Sequence, residues 1–391
     1  MKKRAPNSVT TASPVRSVRP GRNASASASN PAAGTSKNPA PPRHFAVVGA
    51  GMAGIACART LIQAGHQVTV FDEGTGTGGR MSAERTPFGT FDSGAQYFTV
   101  RDPRFSLALQ TAPGVCRPWS ANTVRVLDPL GRVAAAALPP REPHWVALPG
   151  MDALVEHWAA PLKTAQTLQL CTQVTHIARD ALNPRKWQLH TQGTNGAAGA
   201  QHVYSDFDAV LLAVPKAAAE QLLQPTPVAS RVNTALARVQ VAPCWTLMLA
   251  FPHAVQPGVT TLGPHWNAAR STHHRIAWLA RESSKPGRGG IERWTVQASA
   301  AWSQEHLTDD ADRIRGKLCK AFSEVTGIRT QPAHAEVRLW RQAQTVTPLQ
   351  AGGATYLWDA KTSLGVCGDW CIGHRVEDAF VSGLELALAV A

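Results

Sequence analysis

The sequence predicts an α/β protein built around a buried parallel sheet, and three stretches carry that prediction. "HFAVVGAGMAGIACARTLIQAGHQVTVFDE" reads, in order, as strand, glycine turn, helix, strand and acid. "SDFDAVLLAVP" at 205–215 reads as a buried strand ending at Pro215. "SLGVCGDWCIGHRVEDAFVSGLELALAV" reads as a short strand, a turn at Gly368-Asp369, and a helix starting around Val376. Short apolar runs bounded by glycine or proline suit strands covered on both faces.

The first stretch sets the unit. Phe45 to Val48 is the strand, and Gly49, Gly51 and Gly54 then match G-x-G-x-x-G. Gly49 permits the tight turn, Gly51 lets a pyrophosphate approach the backbone, and Gly54 lets the helix pack close to the strand. Ala53 to Ala64 is the helix, ended by Gly65, and its positive end around Met52 and Ala53 suits an anionic pyrophosphate. Val68 to Phe71 is the second strand, with Asp72 or Glu73 placed to accept hydrogen bonds from a ribose. Such a βαβ unit is of the Rossmann type.

A plain NAD site has no use for the glycines that follow. "GTGTGGRMS" cannot be a regular element, because glycine inside helices or strands costs backbone entropy. Gly78 and Gly79 would let the chain run flat against a bulky ligand. Arg80, followed by Met81, would pair with cofactor phosphates or lie along a ribityl chain. Gly94-Ala95-Gln96-Tyr97 repeats the demand. FAD, with its tricyclic ring, meets all of it. At the C-terminal end, Asp369 beside Gly368 would hydrogen-bond ribityl hydroxyls or orient water at the pyrophosphate. The last helix, entered through Arg375 and Val376, would point its N-terminus at the flavin's pyrimidine edge, where its dipole favours the charge of the reduced ring. His374 and Arg375 either add to this or are ordinary loop residues.

Composition narrows the classes. The 391 residues, 44% of them apolar, suffice for two ordinary domains. The formal charge of +13 suggests nucleic acid until it is located. Residues 1–44 hold eight Lys or Arg and no acid, and subtracting those eight leaves +5. The tail, 1–43, is rich in Ser, Ala, Pro and Arg and reads as a disordered basic extension with some likeness to a transit peptide. It lacks aromatic interleaving, so no specific nucleic-acid binding is expected. No apolar run reaches the length of a membrane span, so no membrane contact is expected. Seven irregularly spaced cysteines suggest reduced thiols and a cytoplasmic setting. Cys367 and Cys371 would need two further ligands to hold a metal, so none is expected.

The chain resembles the flavin amine oxidase superfamily, and within it the bacterial renalase-like branch. The resemblance covers nearly everything after residue 44 and is carried by "GGRMS", "GAQYFTVRDPRF", "WVALPGMDALVEHW", "PCWTLMLAF", "WLARESSKPGR", "WSQEHL" and "VCGDWCIGHRVEDAFVSG". It implies the two-domain architecture of p-hydroxybenzoate hydroxylase and the amine oxidases. A discontinuous FAD domain would take 44–100, 145–215 and 340–391. An α+β substrate domain would take 101–144 and 216–339. The resemblance puts FAD contacts at Ala53, Asp72, Arg80, Gln96, Tyr97 and Asp369, with Val174 of "LCTQVTHIARD" touching the adenine. It also implies oxidation of the 2- or 6-dihydro isomers of NAD(P)H, with O2 as electron acceptor and H2O2 as product. Hydride loss from a dihydropyridine gives an aromatic pyridinium, so no general base is required.

Two departures touch the substrate side. "QASAAW" places Gln297 where the branch has a histidine, and "VRLWR" places Arg338 ahead of Trp340 where it has a histidine. Both should line the cavity facing the flavin. Arg338 would either bind an anionic substrate or form an ordinary ion pair. An amine oxidase is the first rival reading, with Trp340 and Trp370 available for an aromatic cage. Carotenoid- or porphyrinogen-type dehydrogenases share the cofactor motifs but usually need a greasy entry surface, and no sustained amphipathic segment supplies one. A flavin-binding protein without turnover, acting through its tail, is the reading from another class. Lys216 and Lys285 could hold a water near the flavin N5, but solvated loop lysines are the favoured reading. His273 and His274 are expected at the surface. Oligomeric state is left open.

Overall fold

A computed structural model describes residues 41–391, apart from 121–123, 136–141, 196–198, 225–229, 253–265 and 350–352. Of the expected basic tail, residues 1–40 lie outside that set. Pro42–Ala391 forms one compact unit.

Its first layer is a six-stranded sheet in the order Leu357–Asp359, Leu364–Val366, Ala209–Leu212, His44–Val48, Gln67–Phe71 and Leu168–Gln169. All neighbours are parallel except the first two. The strands are almost wholly apolar because both faces are covered. Phe45, Val47, Val68, Val70, Ala209 and Leu211 enter the core cluster on one side. Ala46, Val48, Phe71, Val210, Leu212 and Leu364 enter the cluster on the other. Helices Met52–Gln63 and Val376–Val390 cross so closely that a Cβ on Gly383 would lie 2.1 Å from the Ala53 carbonyl oxygen.

The stretch 205–215, expected as one strand, is two. Gln201–Phe207 belongs to a three-stranded antiparallel sheet with Thr172–Arg179 and Trp187–Gly193, while Ala209–Leu212 belongs to the parallel sheet. The break has a local cause: Asp206 takes φ 68°, and Lys186 bridges Asp206 and Asp208 at 3.2 and 2.9 Å. The chain thereby leaves one sheet and enters the other.

The second layer is a seven-stranded sheet in the order His334–Thr347, Gln240–Phe251, Glu292–Ala298, Ile276–Arg281, Ala268–Ser271, Val124–Leu127 and Val133–Ala135. One face packs Trp245, Leu247, Leu249, Trp294 and Val296 against Ile314, Leu318 and Phe322 of helix Ala311–Thr326. This is the α+β part expected from the sequence. The boundary expected at 340 falls inside a strand, because His334–Thr347 runs unbroken beside Gln240–Phe251. The other face meets the hairpin Ala83–Thr86/Gly89–Asp92.

That meeting buries four charges. Lys285 donates to Asp92 at 2.7 Å and to Glu282 at 2.8 Å, and Arg288 donates to Asp92 at 2.6 Å and Glu282 at 2.8 Å. The remaining lone pairs are taken by Met151 N on Asp92 and Thr295 Oγ1 on Glu282. The favoured reading of Lys285 as a solvated loop lysine is therefore corrected: the residue is 2% exposed. Burial is tolerable because two acids and two cations neutralise one another with nearly every polar atom paired. Lys216 is not a loop lysine either; it opens helix Lys216–Leu223 and pairs with Glu220 at 2.7 Å. His273, expected at the surface, is 6% exposed and faces Glu324 at 3.4 Å.

Lys285→Met leaves two buried acids facing one cation and is expected to cost about 3–5 kcal/mol, read as a lower urea midpoint. Burial raises the Asp92 pKa, but Lys285 and Arg288 outweigh it and hold the carboxyl below its usual range. Its stabilisation is therefore complete above the unfolded-state pKa of about 3.9 and is lost as pH falls through the lower folded value. A urea midpoint that stays flat from neutral pH down to pH 2 in the wild type would contradict this.

Candidate active site

The dinucleotide end is made of backbone. Gly49 has φ 106°, and a Cβ there would lie 2.4 Å from the Ala213 oxygen. Gly51 caps helix Met52–Gln63 without any side-chain hydrogen bond, leaving the positive helix end open toward the groove. Across from it, Gly78 donates its N–H to the Ala50 oxygen at 3.0 Å and bridges Gly51. A Cβ on Gly79 would come 3.4 Å from the Gly51 Cα. Two glycine segments thus face each other over a helix N-terminus, a shape suited to a pyrophosphate. Gly79–Met81 forms one 3-10 turn, where irregular chain was expected.

The acid is Asp72. Its carboxylate accepts from Ala50 N at 2.6 Å and Gly74 N at 2.8 Å, while Glu73 is exposed and meets Gln173. Burial raises the Asp72 pKa and the two N–H donors oppose that rise. Two lone-pair sites remain for ribose hydroxyls. Val174 is buried on the neighbouring strand, in one cluster with Phe71. A cavity of about 180 Å³ opens nearby, lined by Cys171, Thr172, Thr191, His202 and Tyr204. It lies beside the adenosine end and apart from the Ser93–Tyr97 turn.

Arg80 and Asp369 were expected to make separate cofactor contacts. They form a bidentate pair, with Nη1 to Oδ2 at 3.0 Å and Nη2 on Oδ1, and Thr345 adds a hydrogen bond to Asp369. The pair ties the glycine-rich turn to the C-terminal one, so cofactor contacts there fall to backbone groups and to what the pair leaves free. Gly368 donates its N–H to Ser382 Oγ at 2.9 Å. Arg375 N donates to Asp378 at 2.9 Å, closing the first turn of helix Val376–Val390. Trp370, expected to serve a substrate cage, is corrected: it is 1% exposed, sits in the core and donates to the Val214 oxygen at 3.1 Å. Cys367 and Cys371 are buried, and no metal-binding group of side chains exists among the described residues.

The turn Ser93–Tyr97, expected to lie against a flat ring, is held by several elements. Trp340 Nε1 donates to the Ser93 oxygen at 2.8 Å and Gln297 Nε2 to the Gly94 oxygen at 2.7 Å. Gln96 donates to the same Gly94 oxygen at 3.1 Å and accepts from Lys285 at 3.3 Å. Ala95 N donates to the Arg80 oxygen at 2.9 Å, so close that a Cβ on Gly94 would lie 2.0 Å from that oxygen. Arg338 pairs with Glu84 and lies 4.1 Å over the Trp340 ring. Of its two expected roles, the structure shows the ion pair.

The sheet explains why these side chains converge. Arg338, Thr246, Gln297, Trp278 and Arg270 are successive cross-strand partners and therefore share one face. Gln297, Arg338 and Trp340 were legible from the sequence. Trp278 and Arg270 were missed because only strand register brings them together, and His144, on a strand of another sheet, because only packing stacks it on Tyr97 at 3.9 Å. These residues fit FAD: a pyrophosphate cradle, a ribose acid and a glycine turn set flat against a polar wall.

Gly54→Ala is expected to yield protein with little bound flavin and a lower melting temperature, because its Cβ would lie 1.8 Å from the Gly49 oxygen. Visible flavin absorbance relative to protein checks this, and full occupancy would refute the cradle.

The comparisons agree with this geometry. A Rossmann-like NAD(P)-binding domain profile matches residues 47–109, and the profile described as "Flavin containing amine oxidoreductase" matches 136–391. A 4,4'-diapophytoene desaturase (4,4'-diaponeurosporene-forming) of Staphylococcus haemolyticus is 47% identical over 58 residues, 15% of this chain and 12% of that protein. Its Staphylococcus aureus counterpart is 45% identical over the same length and shares. The chain thus spans only about an eighth of the length of these curated relatives. A solved structure from Exiguobacterium sp. 255-15, named "Putative protoporphyrinogen oxidase", superposes with a TM-score of 0.66 at 12% identity, over 89% of this chain and 98% of that one. At that identity the likeness shows the fold alone. With the amine oxidoreductase profile covering well over half of it, the chain belongs to the family of flavin-containing amine oxidoreductases and is an FAD-dependent oxidoreductase.

Proposed function

We propose that the protein is a renalase-like oxidase that takes hydride from a 2- or 6-dihydro isomer of NAD(P)H. The observation that supports this most is the character of the wall facing the Ser93–Tyr97 turn. Its cross-strand row carries an arginine at each end, an amide at Gln297 and an indole at Trp278 and no carboxylate or histidine, while the one imidazole named beside it, His144, is stacked on Tyr97. The nearby acid, Glu84, is neutralised by Arg338. A donor that becomes aromatic on losing hydride needs no base, and an anionic nucleotide suits a cationic wall. With Arg338 and Glu84 cancelling one another, the charge left on the row is that of Arg270, which would repel an ammonium substrate and counts against the amine-oxidase reading.

FAD, when bound, supplies the hydride acceptor, with O2 as the terminal acceptor. The chain's own contribution is positional. Gln297 and Gln96 pin the Gly94 carbonyl, and Trp340 pins that of Ser93. The backbone at Ser93 and Gly94, against which a flat ring would rest, is therefore held in place as substrate enters. Reaction in the cytoplasm accords with seven free cysteines, and no helix among the described residues is long and apolar enough to cross a membrane.

Anaerobic mixing of the flavoprotein with isomeric dihydronicotinamides, ordinary NADH and NADPH, and primary and secondary amines tests the reading. Flavin bleaching by a 2- or 6-dihydro isomer and not by amines is expected. Bleaching by an amine alone would reverse it.

A further inference from the structure

One aromatic cluster on the site wall is incompletely satisfied. Tyr97 stacks on His144 with ring centroids 3.9 Å apart and tilts against Trp278 at 5.6 Å. Trp278 is 9% exposed and His144 is 8% exposed. Trp278 Nε1 and His144 Nδ1 both lack a hydrogen-bond partner. A buried polar group left unpaired costs about 1–3 kcal/mol, and here two lie under a single ring. Burial, and then the Arg270 charge, holds the His144 imidazole below its usual pKa, so the ring is neutral near pH 7.

Charge around the cluster has one sign. Arg270 is exposed, is the cross-strand partner of Trp278, and forms no ion pair among the described residues. The carboxylate that also acts on His144 is Glu142, which Arg101 engages and which lies in the field of Arg375. Three arginines thus face one acid that is already paired. The strand order adds a distance. Gln297, which holds the turn under the ring, is one strand from Trp278 and two from Arg270. At the usual strand spacing that is about 10 Å.

We propose that Arg270, Trp278 and His144 form an anchor for the anionic oxygens of the substrate, about 10 Å from the reacting carbon, with Tyr97 as the ring that swings aside to admit them. The inference rests on the proposed dihydronicotinamide reading and deepens it: the recognised group is a phosphate or a carboxylate remote from the ring. Trp278 supplies a neutral N–H, His144 a second polar nitrogen, and Arg270 the charge and fork geometry suited to such an anion. Binding would pair both buried nitrogens at once.

The test compares two substrates that differ only in the anion, an isomeric dihydronicotinamide mononucleotide and its riboside. Arg270→Gln is expected to raise KM for the mononucleotide about tenfold more than KM for the riboside, a 1.4 kcal/mol difference. Arg270→Lys should recover part of the loss, and Trp278→Phe should raise the same KM severalfold. Equal effects on both substrates, or none on either, would overturn the anchor. Should no dihydronicotinamide reduce the wild type, the functional reading fails by itself. The anchor is then read by titrating inorganic phosphate and benzoate against the flavin absorbance of wild type and Arg270→Gln. A perturbation by either anion that the variant loses supports the anchor and tells phosphate from carboxylate; identical titrations in the two proteins overturn it.

Discussion

The buried pairing of Asp92 and Glu282 with Lys285 and Arg288 is the constraint on which the site depends. It joins a hairpin that follows the dinucleotide unit to the strands of the seven-stranded sheet. No member can leave without stranding an opposite charge in the interior, so the two parts are held in one relation. The cluster also reaches outward: Lys285 orients the Gln96 amide, and Arg288 holds the Ala147 carbonyl at 2.8 Å. The turn beneath the candidate ring site therefore inherits its position from an ion network that touches neither cofactor nor substrate.

The two ends of the site follow different physics. At the end built from the glycine motif, the groove is made of glycines and a helix terminus, with few side chains in it. Gly49 and Gly54 are required by contacts closer than any Cβ allows. At the other end, side chains from three strands of a sheet converge on the turn Ser93–Tyr97. A family that shares the first end can thus differ widely at the second, which is why membership settles the cofactor and leaves the substrate to the residues along one sheet row.

Legibility divided along the same line. The βαβ unit could be read because its residues are neighbours in sequence and each glycine answers a local steric demand. Gln297, Arg338 and Trp340 could be singled out only through a resemblance, and their meeting at Ser93 and Gly94 was not visible from spacing. Lys285 was misjudged because a lysine between serine and proline looks like loop. Its burial depends on Asp92, 193 positions earlier in the chain. Trp370 was misjudged for a related reason: an aromatic residue in a glycine-rich turn can face a ligand or the core, and only packing against Val214 chooses. The split of 205–215 into two strands turned on Asp206, whose positive φ no apolar pattern reveals.

By itself the sequence determined the parallel sheet, the glycine cradle, the acid after the second strand and hence a dinucleotide cofactor with a large ring. These follow from short-range sterics and from periodicity along contiguous residues. Tertiary structure alone decided which acid faces inward, that Arg80 and Asp369 hold each other, and that four buried charges cancel. It also decided that Arg270, without an ion pair among the described residues, is the cross-strand partner of Trp278 and acts on His144. Each of those outcomes is an energy of two groups brought together across long stretches of chain. Their magnitudes are set by distance and desolvation, which exist only once the sheets have packed.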